Sequence, residues 1–170
     1  VLEAARDRGY PSAHVNFTTP ADQDALEAAG FLRREDCRFL WRNAAYGGFE
    51  EFLARFRADK RKKLKRERRR VTEAGVSIET LAGETVGGAL WARIFSFSEQ
   101  TFLQHGNAHY LSAEFLERVA VAMPGSVVVK LAHCAGRPIA AAVFLRDSDT
   151  LYGRYWGAAQ QVECVHFELC

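Results

Sequence analysis

Towards the end of the chain, Tyr152, Arg154, Tyr155 and Trp156 set a guanidinium among aromatic rings, and further on His166 and Glu168 place an imidazole and a carboxylate two residues apart. Those side chains suit two tasks, anchoring an anionic substrate and moving a proton. An arginine between rings is costly to bury uncompensated. Stacking on a ring contributes roughly 0.5–2 kcal/mol and accounts for it structurally, whereas a bound carboxylate or phosphate is the functional alternative. Strand alternation sends Tyr152, Arg154 and Trp156 to one face and Gly153 and Tyr155 to the other. His166 and Glu168 share a face on extended backbone but lie about 200° apart on a helix, so they serve one site only in the first case.

A second group is set by charge. Between Arg55 and Arg70, eleven of sixteen residues are Lys or Arg and only Asp59 and Glu67 are acidic, a local net charge of +9. Removing these from the chain's 23 basic and 21 acidic residues leaves 12 and 19, a net of −7, so the overall +2 conceals a polarised molecule. So dense a block repels itself and is relieved when anions approach, phosphates being the common biological choice. Lys60, Arg61, Lys62, Lys65 and Arg66 are the candidate phosphate contacts. A solvated helix face with Lys63 and Glu67 paired at i,i+4, worth about 0.3–0.5 kcal/mol, is the bland alternative.

The elements that must position these residues can be read from local signals. With 170 residues, 48% of them hydrophobic, and twenty aromatics, the chain can bury a core and is not a disordered tail. No apolar run approaches the roughly 20 residues of a spanning helix and no signal-peptide series opens the chain, so a cytoplasmic location is the default expectation. Cys37, Cys134, Cys164 and Cys170 are scattered without metal spacing, and reduced thiols with no metal site are expected. The chain begins at Val1 and stops at Cys170 inside what reads as a helix start, as cuts in a longer protein would leave it.

Ser12–Phe17 alternates like a strand, and Thr19-Pro20-Ala-Asp22 gives an N-cap, a first-turn proline and an early acid, so a helix should start at Pro20 and end at Gly30. Phe31 to Arg42 reads as extended. Phe49, Phe52, Leu53 and Phe56 recur at helical spacing, and Asp59 is placed to cap a second helix, Lys60 to Ala74, closed by Gly75. Val76–Leu81 reads as a strand. Two helices follow, one from Leu90 to Phe102 closed by Gly106, the other capped by Ser112 with Phe115, Leu116, Val119 and Met123 inward. Val127–His133, Ile139–Arg146 and Leu151–Trp156 are strand-like runs separated by Gly136-Arg-Pro138 and Asp147-Ser-Asp149, an antiparallel meander over residues 127–156. From about Gln160 the pattern is helical. The expected class is α+β.

The segments Phe39-Leu-Trp41-Arg-Asn43-Ala-Ala-Tyr46, Phe49-Glu-Glu-Phe52-Leu53, Lys60 to Arg68, Leu151-Tyr-Gly153-Arg154-Tyr155-Trp156-Gly157 and His166-Phe167-Glu168 resemble the FemAB-like family of bacterial N-acyltransferases, often labelled as peptidoglycan-biosynthesis proteins. Leu40 stands where the family usually has His. The order of elements resembles GNAT-type acyltransferase domains. Residues 1–46 are similar to the closing half of one such domain and 76–170 to the opening half of a second, with 47–75 as basic linker helices.

What the resemblance implies is acyl or aminoacyl transfer to an amine, with acyl-CoA or aminoacyl-tRNA as the phosphate-bearing carrier. Such chemistry needs a base and a bound carrier. The resemblance and the side-chain chemistry together nominate His166, Glu168 and Tyr155 as catalytic candidates. Arg154, Trp156, Trp41, Asn43 and Tyr46 join the basic helix as substrate or carrier contacts, with Asn43 and Tyr46 lining a groove between domains or forming a turn. The Gly-rich pyrophosphate loop of acetyl-CoA enzymes is replaced by Gly157-Ala-Ala-Gln-Gln161, which disfavours acetyl-CoA and favours another carrier such as tRNA. A non-catalytic nucleic-acid-binding module using the basic helix is the alternative. It lacks a helix-turn-helix, zinc-finger or RNA-recognition signature.

Overall fold

The computed structural model describes every residue except Val1, Phe17, Asp36 and Arg38. Just ahead of Gly47-Gly48 the chain divides into two compact units, residues 1–45 and 46–170. The basic helices fall within the second unit.

In the first unit, helix α1 spans Leu2–Asp7, an element not read from the sequence, and α2 spans Pro20–Ala28. Thr19 caps α2 by accepting from the Asp22 N–H while the Asp22 carboxylate reaches back to Thr19, a reciprocal capping box that pulls the Asp22 carboxyl below its usual range. Gly30, at φ +86°, ends the helix as expected. The two extended runs do not become strands: none of the described residues from 12 to 42 joins a sheet, and Phe17, Asp36 and Arg38 of those runs lie outside the described residues. A strand is stabilised by a ladder partner, and the described residues of this unit offer none.

The second unit opens with α3, Phe49–Ala54, and α4, Ala58–Glu73. The residue preceding α4 is Arg57, so Asp59 sits in the first turn as a charge complementing the helix dipole and is not the cap. Strand β1 (Val76–Ala82) leads through a short 3₁₀ turn into α5 (Gly88–Gln104) and α6 (Ala113–Ala122), the latter capped by Ser112 accepting from the Phe115 N–H. Strands β2 (Val127–Cys134), β3 (Arg137–Arg146) and β4 (Leu151–Ala158) follow, and α7 (Val165–Leu169) ends the chain. The sheet is antiparallel throughout in the order β1-β2-β3-β4, which makes the unit mixed helix and sheet, as expected of α+β.

The β2–β3 turn is the two-residue Ala135-Gly136, both at positive φ, so Arg137 and Pro138 already lie in β3 and are not the turn. Buried side chains fall into two clusters, one on each sheet face. Trp91, Ile94 and Phe97 of α5 and Leu116 and Ala120 of α6 meet Val129, Leu131, Val143 and Tyr155, whereas Val71 of α4 and Val165 and Leu169 of α7 meet Ala132, Ala140, Ala142 and Phe144. Two helical layers thus enclose the sheet, which explains why Ile139–Phe144 of central β3 is apolar without alternation. Phe115 and Met123, expected inward, are about half exposed, because α6 covers the sheet with Leu116 and Ala120.

Candidate functional site

Strand β4 is one of the two edge strands of the described sheet, β1 being the other, and the candidate site is organised around β4. Val143 pairs with Tyr155 but Phe144 with Gly153, leaving Arg154 as an extra residue, a β-bulge. The surplus residue corrects the expected alternation. Tyr155 turns to the α5 side and Trp156 to the α7 side, so Arg154 and Trp156 do not share a face.

On the α5 side, the Arg154 guanidinium lies over the rings of Tyr155 and Tyr110, 4.7 and 5.3 Å from their centroids, and donates to the Tyr110 hydroxyl. Tyr155 is 5% exposed, and its hydroxyl finds no partner among the described residues. Burial pushes that phenol above its usual range. His109, which sequence reasoning missed, stands with its centroid 4.3 Å from Phe95, 4.4 Å from Phe102 and 4.6 Å from Tyr155. Its Nδ1 accepts from the Leu111 N–H and its Nε2 lies 3.3 Å from Ser98 Oγ. Burial holds the imidazole below its usual range, and the Ser98 hydroxyl donates to the Phe95 carbonyl, so this pair is a packing device and not a nucleophile with its base.

Residues of α5 from one face and of α7 from the other, with the end of β4 and the segment after it, line a cavity of about 350 Å³. Trp156 and His166 face it with ring centroids 4.8 Å apart in edge-to-face contact. Because residues 165–169 are helical, His166 and Glu168 diverge by about 200° and form no dyad. Glu168 instead accepts from Arg68 Nε at 2.9 Å, tying α7 to α4. A separate cavity of about 430 Å³ belongs to the first unit, beside Gln23, Phe31 and Arg34.

The basic helix is split by its own period. Val71 is buried and Leu64, one heptad before it, is half-buried, which marks its inward line. Along one flank Arg61 donates to the Phe56 carbonyl, Lys65 meets Glu50 at 2.6 Å and Arg68 meets Glu168, so Arg61 and Lys65 are engaged within the protein. Lys63 and Glu67 pair at 3.6 Å, as expected, and Arg70 pairs with Glu163. Lys62, Arg66 and Arg69 point about 140–160° away from Leu64, and Lys60, Lys62 and Arg66 have no acidic partner among the described residues. Neither of the two cavities is lined by a side chain of α4. Trp41 and Asn43, both exposed, belong to the first unit, and Tyr46 to the second, where its ring packs edge-on against Phe52 at 5.5 Å.

A family model described as FemAB-like, peptidoglycan biosynthesis and recognition, matches residues 1–170. No curated protein matches the chain significantly. No helix among the described residues is long and apolar enough to cross a membrane.

Proposed function

Since the chain belongs to the FemAB-like family of peptidoglycan biosynthesis and recognition over its whole length, we propose that it transfers an acyl or aminoacyl group to an amine of a peptidoglycan precursor, with the reaction centred at the free edge of β4. One observation carries the location. Among the described residues lining the cavity there is a single imidazole, His166, exposed at the surface and braced on Trp156.

The attacking amine must lose a proton as its nitrogen forms the new C–N bond, and the C–O or C–S bond to the carrier must break. His166 takes that proton and returns it to the departing oxygen or sulfur, a contribution on the order of 10²–10⁴ in rate. Glu168 is engaged with Arg68 and the Tyr155 hydroxyl is enclosed on the opposite face, so both are assigned to positioning the strand and helix that carry His166. The phosphates of the carrier, whether acyl-CoA or aminoacyl-tRNA, are assigned to the cations without acidic partners among the described residues, Lys60, Lys62 and Arg66, together with exposed Arg154. The GNAT-type half-domain arrangement is supported by a strand, two helices and an antiparallel meander in that order within the second unit.

The test is a mass-spectrometric screen of the protein with charged tRNAs and acyl-CoAs against amine-bearing peptidoglycan precursors. An acylated product that His166→Gln reduces by about a hundredfold or more supports the reading. Absence of product with every donor, or full turnover by the variant, overturns it.

A further inference from the structure

Among the described residues, the wall of the β4-edge cavity contains no Asp, Glu, Lys or Arg, although 26% of the chain is charged. It presents instead four primary amides, those of Gln100, Gln104, Gln160 and Gln161, beside Trp156. Of the acids adjoining the lining residues in sequence, Glu163 and Glu168 are turned to Arg70 and Arg68, and the charge of Glu99 acts on His109 of the α5 side. Each glutamine offers one carbonyl acceptor and two N–H donors, which can satisfy neutral polar groups on a ligand but cannot neutralise a phosphate, carboxylate or ammonium. An ionised group brought into such a wall loses water without gaining a counter-charge.

The second observation is the strand itself. Trp156, Ala158 and Ala159 line the cavity, and β4 has no neighbour on that edge among the described residues. A free strand edge presents main-chain donors and acceptors at the spacing of an extended amide chain, the geometry used in strand addition. A saccharide lacks that repeat.

From these two features we infer that the cavity binds an uncharged, extended chain of secondary amides, its main chain laid along β4, its polar groups met by Gln100 and Gln104 and its apolar side on Trp156. This deepens the proposed transfer by giving the acceptor's neutral peptide segment its seat, and it rests on that reading only in calling the ligand an acceptor. The carrier's phosphates are then held outside the cavity.

The probe is N-acetyl-Ala-Ala-Ala N-methylamide, compared with the same tripeptide bearing free termini and with N-acetylglucosamine, titrated into the whole 170-residue chain and followed by amide NMR and indole fluorescence. The capped peptide should bind at least about tenfold more tightly than the charged one, a difference of about 1.4 kcal/mol, and should shift the Gln100 and Gln104 side-chain amides. Its affinity should be unchanged by raising salt from about 50 to 500 mM, since no ion pair is involved. Gln104→Glu should weaken capped-peptide binding by roughly the same factor. Gln104→Asn, which keeps an amide, should weaken it less and distinguishes altered chemistry from a disturbed fold. Equal binding of the charged peptide, preference for the sugar, or affinity that falls with salt overturns the inference. Capped-peptide binding without any acyl product sinks the transferase reading alone, whereas product formation without discrimination against charged termini sinks this inference alone.

Discussion

Gly157 of β4 lies against Phe97 of α5 backbone to backbone: a Cβ added at Gly157 would fall 2.0 Å from the Phe97 carbonyl carbon and oxygen and 2.3 Å from the Ser98 nitrogen. Neither main chain is free to yield, because α5 is anchored by the fully buried Trp91 and β4 by its ladder to β3. Gly157→Ala should therefore cost about 1–3 kcal/mol or more, as overpacking does, and lower the urea midpoint. Gly153→Ala, on the same strand with only Phe144 near at 3.9 Å, is the control and should change stability little. Equal midpoints for the two variants would show that the helix does not rest on this glycine.

His109 should make folding acid-sensitive. Its pKa in the folded protein lies below the 6.5 of a free imidazole, chiefly through burial among Phe95, Phe102 and Tyr155. In the window between the lowered folded value and 6.5 the unfolded chain binds more protons, so this stability is complete above 6.5 and is lost as pH falls through the window. Denaturation midpoints measured from neutral to mildly acidic pH should decline in wild type and decline less in His109→Phe. Parallel curves would remove the imidazole as the cause.

His166 and Glu168 should separate by readout. His166→Gln should lower turnover by about a hundredfold or more with an unchanged melting temperature, since His166 is exposed. Glu168→Gln breaks a partly exposed ion pair at 2.9 Å, for which about 0.2–1 kcal/mol is expected, and should lower stability without moving the pH profile of the reaction. Loss of the pH-dependent limb in Glu168→Gln would instead make that carboxylate part of the proton path.

The two flanks of α4 should respond differently to salt. If the carrier is tRNA, replacing Lys62 and Arg66 by Ala should weaken its binding and flatten the log-log salt dependence by about 1.8, since each duplex phosphate no longer neutralised accounts for about 0.9. Replacing Arg61 and Lys65, which are engaged with the Phe56 carbonyl and Glu50, should lower stability and leave that slope nearly intact. Filter-binding titrations at several ionic strengths decide between them. The converse pattern would place the carrier against α3.

Local punctuation was legible in the chain before any fold was known. The Thr19–Asp22 cap, the positive-φ stops at Gly30, Gly75 and Gly106, and the three strands of the meander all follow from rules acting over a few residues. The runs around Ser12 and Phe31 misled because periodicity reports a capacity for pairing and not the presence of a partner. The bulge at Arg154 left no trace because an extra residue alters register without altering composition. Of the site, the Trp156 and His166 segments were visible in sequence, but the amide wall was not. Gln100 and Gln104 come from α5 and Gln160 and Gln161 from beyond β4, and neutral side chains so far apart form no motif.

The surplus residue in β4 works as a phase shifter. Downstream of it, tyrosine meets one helical layer, tryptophan the other, and Gly157 arrives where only a hydrogen atom fits. Deleting Arg154 would thus do more than remove a cation: to restore an even beat, the chain would have to forfeit either the pairs near Tyr152 or the close seating of α5. Any descendant of this fold that trades the arginine for another side chain can keep its architecture, while one that shortens the strand there must rebuild both faces at once.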